Sequence, residues 1–592
     1  MRAVDQETLI DLQISQLSPA TAGIGSNMPD VILTAATVIT MDDDWPRAEA
    51  VAVSDGRIVA VGSLAECTSV LPGAEVIDTG AGALLPGFVE PHGHPFMSGV
   101  ITEAPVHSIA PWKASRWADV TTAFEAALAD TDPSEPLIFS GFDALLHEHP
   151  APDVDELDQI FGDRVAAITD NSGHGVYFGT ALIKLHGWDS APPADPVGGH
   201  YQRNPDGTLN GRGFEVPALT EVLAPLIAGL GNPLHSAAQF FAVMSRAGYT
   251  STSDMTYDPQ LKPAYEALAA APSCPLRVSL WEMSTTETYT EPETFTASDD
   301  MLCKTGVKLW TDGAVWVGSG ATSFAYVDSA ATRRAAIDPA TAGGTRSLNY
   351  SREQLDAILD KAAPRGWQMA FHSNGDLAVE LALDAYEAAL QRHGLLGTDH
   401  RWRLEHAGGA TRAQLDRAAR LGVHVSMSPF QYYYWGDLLD GQIFDHENGS
   451  RWQPFSDAVA SGACISFHND GSVSPPSPLT NIQTVTARRT RAGNVHGAGQ
   501  AIPIHEALRA QTINAARTLR RDHLIGSIAV GKLADFVELS ADPYDVDPAR
   551  LIEVVGVNGT WIGGRRVDLD AFLDGSRTEH DAAPVAPIKH CC

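Results

Sequence analysis

Five short motifs, far apart in the chain, each close a run of apolar, β-prone residues, and this repeated arrangement limits the available folds. His92 and His94 follow LLPGFV, Lys308 sits in GVKLW, His372 follows WQMAF, His406 follows RWRLE and Asp470 follows CISF. Strands buried on both faces of a parallel sheet read as continuous apolar runs. A (β/α)8 barrel sets its reactive side chains where such strands run out. The spacing agrees: His372 to His406 spans 34 residues, close to one strand-plus-helix unit of roughly 30 residues in a barrel of about 250. His406 to Asp470 spans 64 residues, or two units, with HVSMSPF as the strand between. Strand ends are therefore expected at His92, Met255, Met283, Lys308, His372, His406, Phe430 and Asp470.

The residues at these ends are metal-ligand types, because imidazole and carboxylate are what a divalent cation takes. His92 and His94 are two apart, and period-two alternation aims both at one face. Taken alone, such a pair also fits two core histidines bonded to carbonyls. Lys308 binds no metal as a cation, but burial favours its neutral amine. The alternative for Lys308 is a buried ammonium paired with Asp470 or Asp312. Lys304 is expected to face away from the site. His372 and His406 are ligand candidates, with a stacked core imidazole or a substrate contact as alternatives. His468 shares a side with Asp470 and reads as a core or ligand-supporting residue.

Together, PGFVEPHGHP, VKLWTDGA, HSNGD, RLEHAG, NDGSVSPPSPL and GSIAVGKLADFVEL resemble the amidohydrolase superfamily. Within it the chain looks like the branch of N-substituted formamide deformylase and the YtcJ-like proteins, from about Asp30 to about Val567. The resemblance implies an α/β fold: a metal-dependent-hydrolase TIM barrel with a discontinuous β-sandwich built from both chain ends, and a homodimer. It implies His92, His94, Lys308, His372, His406 and Asp470 as metal ligands, and a carboxylated Lys308 bridging two ions. Zinc is the default metal for this ligand set, one or two ions, with other divalent transition metals as alternatives. Asp470 is implied as the catalytic general base and acid, working with a metal-bound hydroxide. Two positions depart from the family's common form: Asn469 stands where a serine is frequent before the aspartate, and Glu90 where an aspartate is frequent.

Residues 1–29 read as an N-terminal lead without a signal pattern, 30–85 and 516–575 as two parts of the sandwich, and 86–515 as the barrel. An α+β insertion is expected at 104–240, because His94 to Lys308 spans 214 residues where three units need only roughly 90. A smaller insertion is expected at 313–350, and a flexible tail at 576–592. Substrate contacts are expected from Trp310 and Trp316 beside the lysine motif, and from Tyr433, Tyr434 and Trp435 in a loop after the seventh strand. His174, in NSGHGVYF, is a further candidate through the resemblance.

With 73 acidic against 40 basic side chains, a net charge of −33 disfavours nucleic acid and anionic membranes. No stretch reaches the roughly 20 apolar residues of a membrane span. Six cysteines make no disulfide framework, and a cytoplasmic, reducing location is expected; the terminal Cys591–Cys592 pair stays a candidate for oxidation or adventitious metal. The expected activity is hydrolysis of a small-molecule C–N bond other than a peptide bond, an amide or formamide with an apolar substituent. The same metal site used for C–C or C–O cleavage is the alternative, and a non-catalytic scaffold a remote one.

Overall fold

The computed structural model describes residues 30–173, 175–196, 199–227 and 231–578. The N-terminal lead, His174 and the terminal cysteine pair lie outside them. Eight parallel strands form the central sheet: β1 (Phe88–Glu90), β2 (Tyr249–Tyr257), β3 (Arg277–Met283), β4 (Leu302–Trp310), β5 (Gln368–Ser373), β6 (Arg403–His406), β7 (His424–Met427) and β8 (Ile465–Phe467). They are hydrogen-bonded in sequence order. Every residue of β2, β3 and β6 is buried, as expected of strands covered on both faces.

The ladder pairs β1 with β2 through to β7 with β8, and Gln511 joins the two ends. Its side-chain amide donates to the Val89 carbonyl (3.1 Å) and the Phe467 carbonyl (3.2 Å), while Val89 N–H donates to the Gln511 carbonyl (3.0 Å). One side chain thus supplies hydrogen bonds that a β1–β8 ladder would otherwise provide, and the sheet closes into an α/β barrel. Helices between strands carry their own stop and start signals. Ser351 and Thr411 form capping boxes with Gln354 and Gln414, and Gly422 ends the helix Arg412–Leu421 in the left-handed region.

Strands from both chain ends share one eight-stranded sheet, in which Ala83–Pro86 pairs with Phe536–Leu539 across the long sequence gap. Val51, Val53 and Ile58 from one side of this sheet pack with Phe536 and Trp561 from the other, so it curls around a common core. The buried pair Arg277–Asp535 ties it to β3, with Nε–Oδ2 at 2.5 Å and Nη2–Oδ1 at 2.9 Å. Between β1 and β2 lies a third, six-stranded sheet running from His107–Ser108 to Leu209–Phe214.

Two local expectations are corrected. The segment after β7 is a helix, Pro429–Leu439, and not a loop; Pro429 occupies its first turn, where a missing N–H costs nothing. The helix Leu569–Thr578 carries order past residue 576, where the tail was expected to begin. Among the described residues, no helix is long and apolar enough to cross a membrane.

Candidate active site

The barrel gathers the predicted ligand types at the carboxyl ends of its strands. His92 and His94 follow β1, and Pro95 starts the helix Pro95–Thr102 directly after them. His92 is 1 % exposed; its Nε2 lies 3.4 Å from Asp470 Oδ1 and 3.2 Å from Lys308 Nζ. His94 Nε2 is 3.2 Å from the same Asp470 oxygen. His92, His94 and Asp470 can converge on one ion, their ligand atoms lying within 4.8 Å of one another; so do those of His92, His406 and His468.

Lys308 is fully buried on β4, with its amine 5.1 Å from the centre of the Trp310 ring. Lys304 would share the Lys308 face under strict alternation, but β4 shifts register between Lys304 and Gly306. Its ammonium turns to the opposite face and pairs with Glu282 there, so it leaves the site as expected but is buried, with its side chain 2 % exposed.

His372 and His406 lie side by side, ring centres 4.4 Å apart. The outer nitrogen of His372, Nε2, meets the Asn374 amide at 3.1 Å and Asp312 Oδ1 at 3.6 Å. Asp312 accepts backbone N–H groups from Ala321, Asn374 and Gly375 (2.8–2.9 Å), and burial nevertheless pushes its carboxyl up to about 7. His406 and Ala407 have φ of 70° and 49°, so the chain leaves β6 through the left-handed region. Regular pleating sends neighbours to opposite faces. Here Glu405 and His406 both reach site groups, Glu405 to His92 and His406 to Ser428 (Nδ1–Oγ 2.8 Å). Asp470 also has a left-handed φ, 54°.

Electrostatics favour lone pairs here. Burial, reinforced by Lys308, holds His92 well below the usual imidazole range. Burial and His372 do the same for His406, and burial takes His468 down to about 3. For Asp470 burial acts upward, but the hydrogen bond and charge of His94 outweigh it and keep the carboxyl below its ordinary value. Neutral imidazoles around an ionised carboxylate are the donor set a divalent cation requires.

The two departures from the common family form touch each other, because Asn469 N–H lies against both Glu90 oxygens (3.0 and 3.1 Å). Sequence reasoning missed the side chains that hold the candidate ligands. Glu405 Oε2 takes His92 Nδ1 at 2.6 Å, and Arg403 grips Glu405 through Nε and through Nη2 (2.7 Å). Thr256 meets His94 Nδ1 at 3.0 Å. Glu405 stands in the quoted RLEH motif, and its adjacency to His406 was the available signal.

The aromatic candidates divide. Trp310, Tyr433 and Tyr434 are half-buried, and Tyr434 leans on Trp112 with centres 5.6 Å apart. Trp316 and Trp435 stack on each other at 4.7 Å within a buried cluster, and the Trp435 indole N–H donates to Asp143 (3.2 Å). This pair packs the wall beside the site.

Residues 75–568 match the model of the amidohydrolase family. The chain belongs to that family. It is accordingly a metal-dependent hydrolase acting on C–N bonds. It is 26 % identical over 559 residues to N-substituted formamide deformylase of Arthrobacter pascens, covering 91 % of this chain and 98 % of that one. It is 25 % identical over 578 residues to Protein LONG AFTER FAR-RED 3 of Arabidopsis thaliana, covering 94 % and 95 %. Among solved structures, an uncharacterized metal-dependent hydrolase from Pyrococcus horikoshii OT3 shares the fold, with a TM-score of 0.66, 20 % identity, and coverage of 88 % of this chain and 98 % of that one.

Proposed function

We propose that this amidohydrolase cleaves a small amide or N-substituted formamide with an apolar or aromatic substituent. The buried meeting of His92, His94, Lys308 and Asp470 carries this reading. His92, His94 and Asp470 would hold one cation, and Lys308, His372 and His406 a second. Zinc suits these ligands, and Lys308 would join as its carbamate. When bound, the metal supplies Lewis acidity and lowers the pKa of water at the site.

The chain's own groups handle the protons. In hydrolysis, water oxygen joins the carbonyl carbon and the C–N bond breaks. Asp470, ionised and held by His94, takes a proton from the attacking water and returns it to the leaving nitrogen, giving a free amine and a carboxylic acid, which releases its remaining proton to solvent. Trp310, Tyr433 and Tyr434 would face the apolar substituent, with Trp316 and Trp435 as backing. The name of the Arthrobacter pascens relative supports the formamide class.

The test is formate and amine release from N-benzylformamide by zinc-loaded protein, beside the matching acetamide and a benzyl ester. Cleavage of a C–N substrate, strongly reduced in Asp470→Asn, is expected. Cleavage of the ester alone contradicts the proposal.

A further inference from the structure

His468 has no part in the ligand roles proposed above, yet it sits among them, fully buried. Its Nδ1 is 2.8 Å from Ser426 Oγ, and its Nε2 is 2.8 Å from Ser428 Oγ and 3.1 Å from His406 Nδ1. His406 Nδ1 is itself 2.8 Å from Ser428 Oγ. These contacts fit two opposite proton orders, and a cation on His406 Nε2 selects one of them: His406 Nδ1–H donates to Ser428 Oγ and His468 Nε2, the Ser428 hydroxyl donates to His468 Nε2, and His468 Nδ1–H donates to Ser426 Oγ.

Ring geometry argues against His468 as a ligand beside His92. The two rings stack with centres 4.6 Å apart and planes only 22° from parallel. An imidazole lone pair lies in its ring plane, so a cation on the His92 nitrogen axis lies out of the His468 plane. The His406 ring, in contrast, is tilted 53° from His92 and 74° from His468. Its Nδ1 is already occupied by two neighbours, which leaves Nε2 for a cation. The two histidines of the first-cation group show the same pattern, with Glu405 on His92 Nδ1 and Thr256 on His94 Nδ1.

We propose that His468, seated between Ser426 and Ser428, is a positioning residue that holds His406 in the tautomer whose Nε2 can bind metal. The proposal rests on the metal-centre reading given above. A neighbour that fixes the tautomer of a ligating histidine typically changes metal affinity by about 10–100-fold.

The experiment titrates metal-free protein with Co2+ alone, reading visible absorption and ions bound at saturation, with melting of the metal-free form in parallel. His468→Phe keeps a ring against His92 and removes both nitrogens. It is expected to weaken one Co2+ equivalent by about 10–100-fold, with the saturating number and the band shape kept. His468→Gln, which retains an acceptor, restores most of that loss. Ser426→Ala, a milder change that frees His468 Nδ1, weakens the same equivalent by less and carries the test if His468→Phe does not fold. Wild-type affinity in His468→Phe or Ser426→Ala overturns the proposal. So does loss of a saturable equivalent with a changed band, which makes His468 a ligand. Wild-type protein that takes up no Co2+ at any concentration overturns the metal reading beneath it as well.

Discussion

Glu405→Gln separates what holds the fold from what holds the metal. Glu405 is fully buried, takes His92 Nδ1 at 2.6 Å and receives two N–H groups of Arg403. Arg403 is fully buried too, its Nη2 also donates to the Pro91 carbonyl (2.8 Å), and its Nη1 has no hydrogen-bond partner among the described residues. Glutamine keeps the volume and one acceptor but sets an NH2 group against a donor and leaves the guanidinium charge without its anion. Breaking a buried pair from one side costs about 3–5 kcal/mol, a large part of a typical stability of about 5–15 kcal/mol. Separately, loosening His92 lowers metal affinity by about 10–100-fold. Denaturation in chelator reads the first effect and a metal titration the second. The double variant Glu405→Gln/Arg403→Met decides between them, because no buried charge remains: stability returns to within about 1–2 kcal/mol of wild type, while metal affinity stays low. If the double variant recovers both, or if Glu405→Gln binds metal like wild type, Glu405 does not orient His92 and the reasoning is wrong.

Three further outcomes are expected. Asp470→Asn lowers kcat by about 10²–10⁴-fold in a steady-state assay while the metal content measured on the same sample falls far less. Lys308→Ala loses metal, because the group expected to bridge two ions is gone; plasma mass spectrometry of the purified variant measures this. His147 accepts the Asp143 N–H at Nδ1 (3.0 Å) and donates from Nε2 to the Ala114 carbonyl (2.9 Å), so protonation would set donor against donor. Burial accordingly takes it from 6.5 down to about 4. Between those values the unfolded chain binds the extra proton and the folded chain does not, so this stability is complete above pH 6.5 and lost as pH falls toward 4. The gap is worth about 3 kcal/mol at about 1.4 kcal/mol per pH unit. His147→Gln therefore has a shallower fall of melting temperature over pH 6.5–4 than wild type, whatever its stability at pH 8, and an unchanged slope refutes the assignment.

The barrel was legible because its strands are local apolar runs and its chemistry sits where they stop. The positions of His92, Lys308, His372 and Asp470 at strand ends need only the sequence. What was not legible depends on contacts between distant segments or on small backbone irregularities. The fate of Lys304 turns on a register shift in β4, which no side-chain pattern announces. Glu405 and His406 both serve the site because of a left-handed exit from β6, where alternation alone would separate them. PFQYYYWGDLL has few strong helix formers apart from Gln431 and its leucines, and tertiary packing overrides that weak propensity: Phe430 and Trp435 bury in the cluster beside the site, and Tyr432 packs under Arg488. Gln511, lying 44 residues beyond the β8 strand end at Phe467, gives no hint in sequence that it bridges β1 and β8.

The central claim is that these buried side chains form a metal centre, and the metal content of freshly purified wild-type protein tests it most directly. Plasma mass spectrometry, with His92→Asn in parallel, is expected to find close to two divalent transition-metal ions per chain and a clear deficit in the variant. Wild-type protein that holds no metal as purified, and none after incubation with zinc followed by gel filtration, contradicts it.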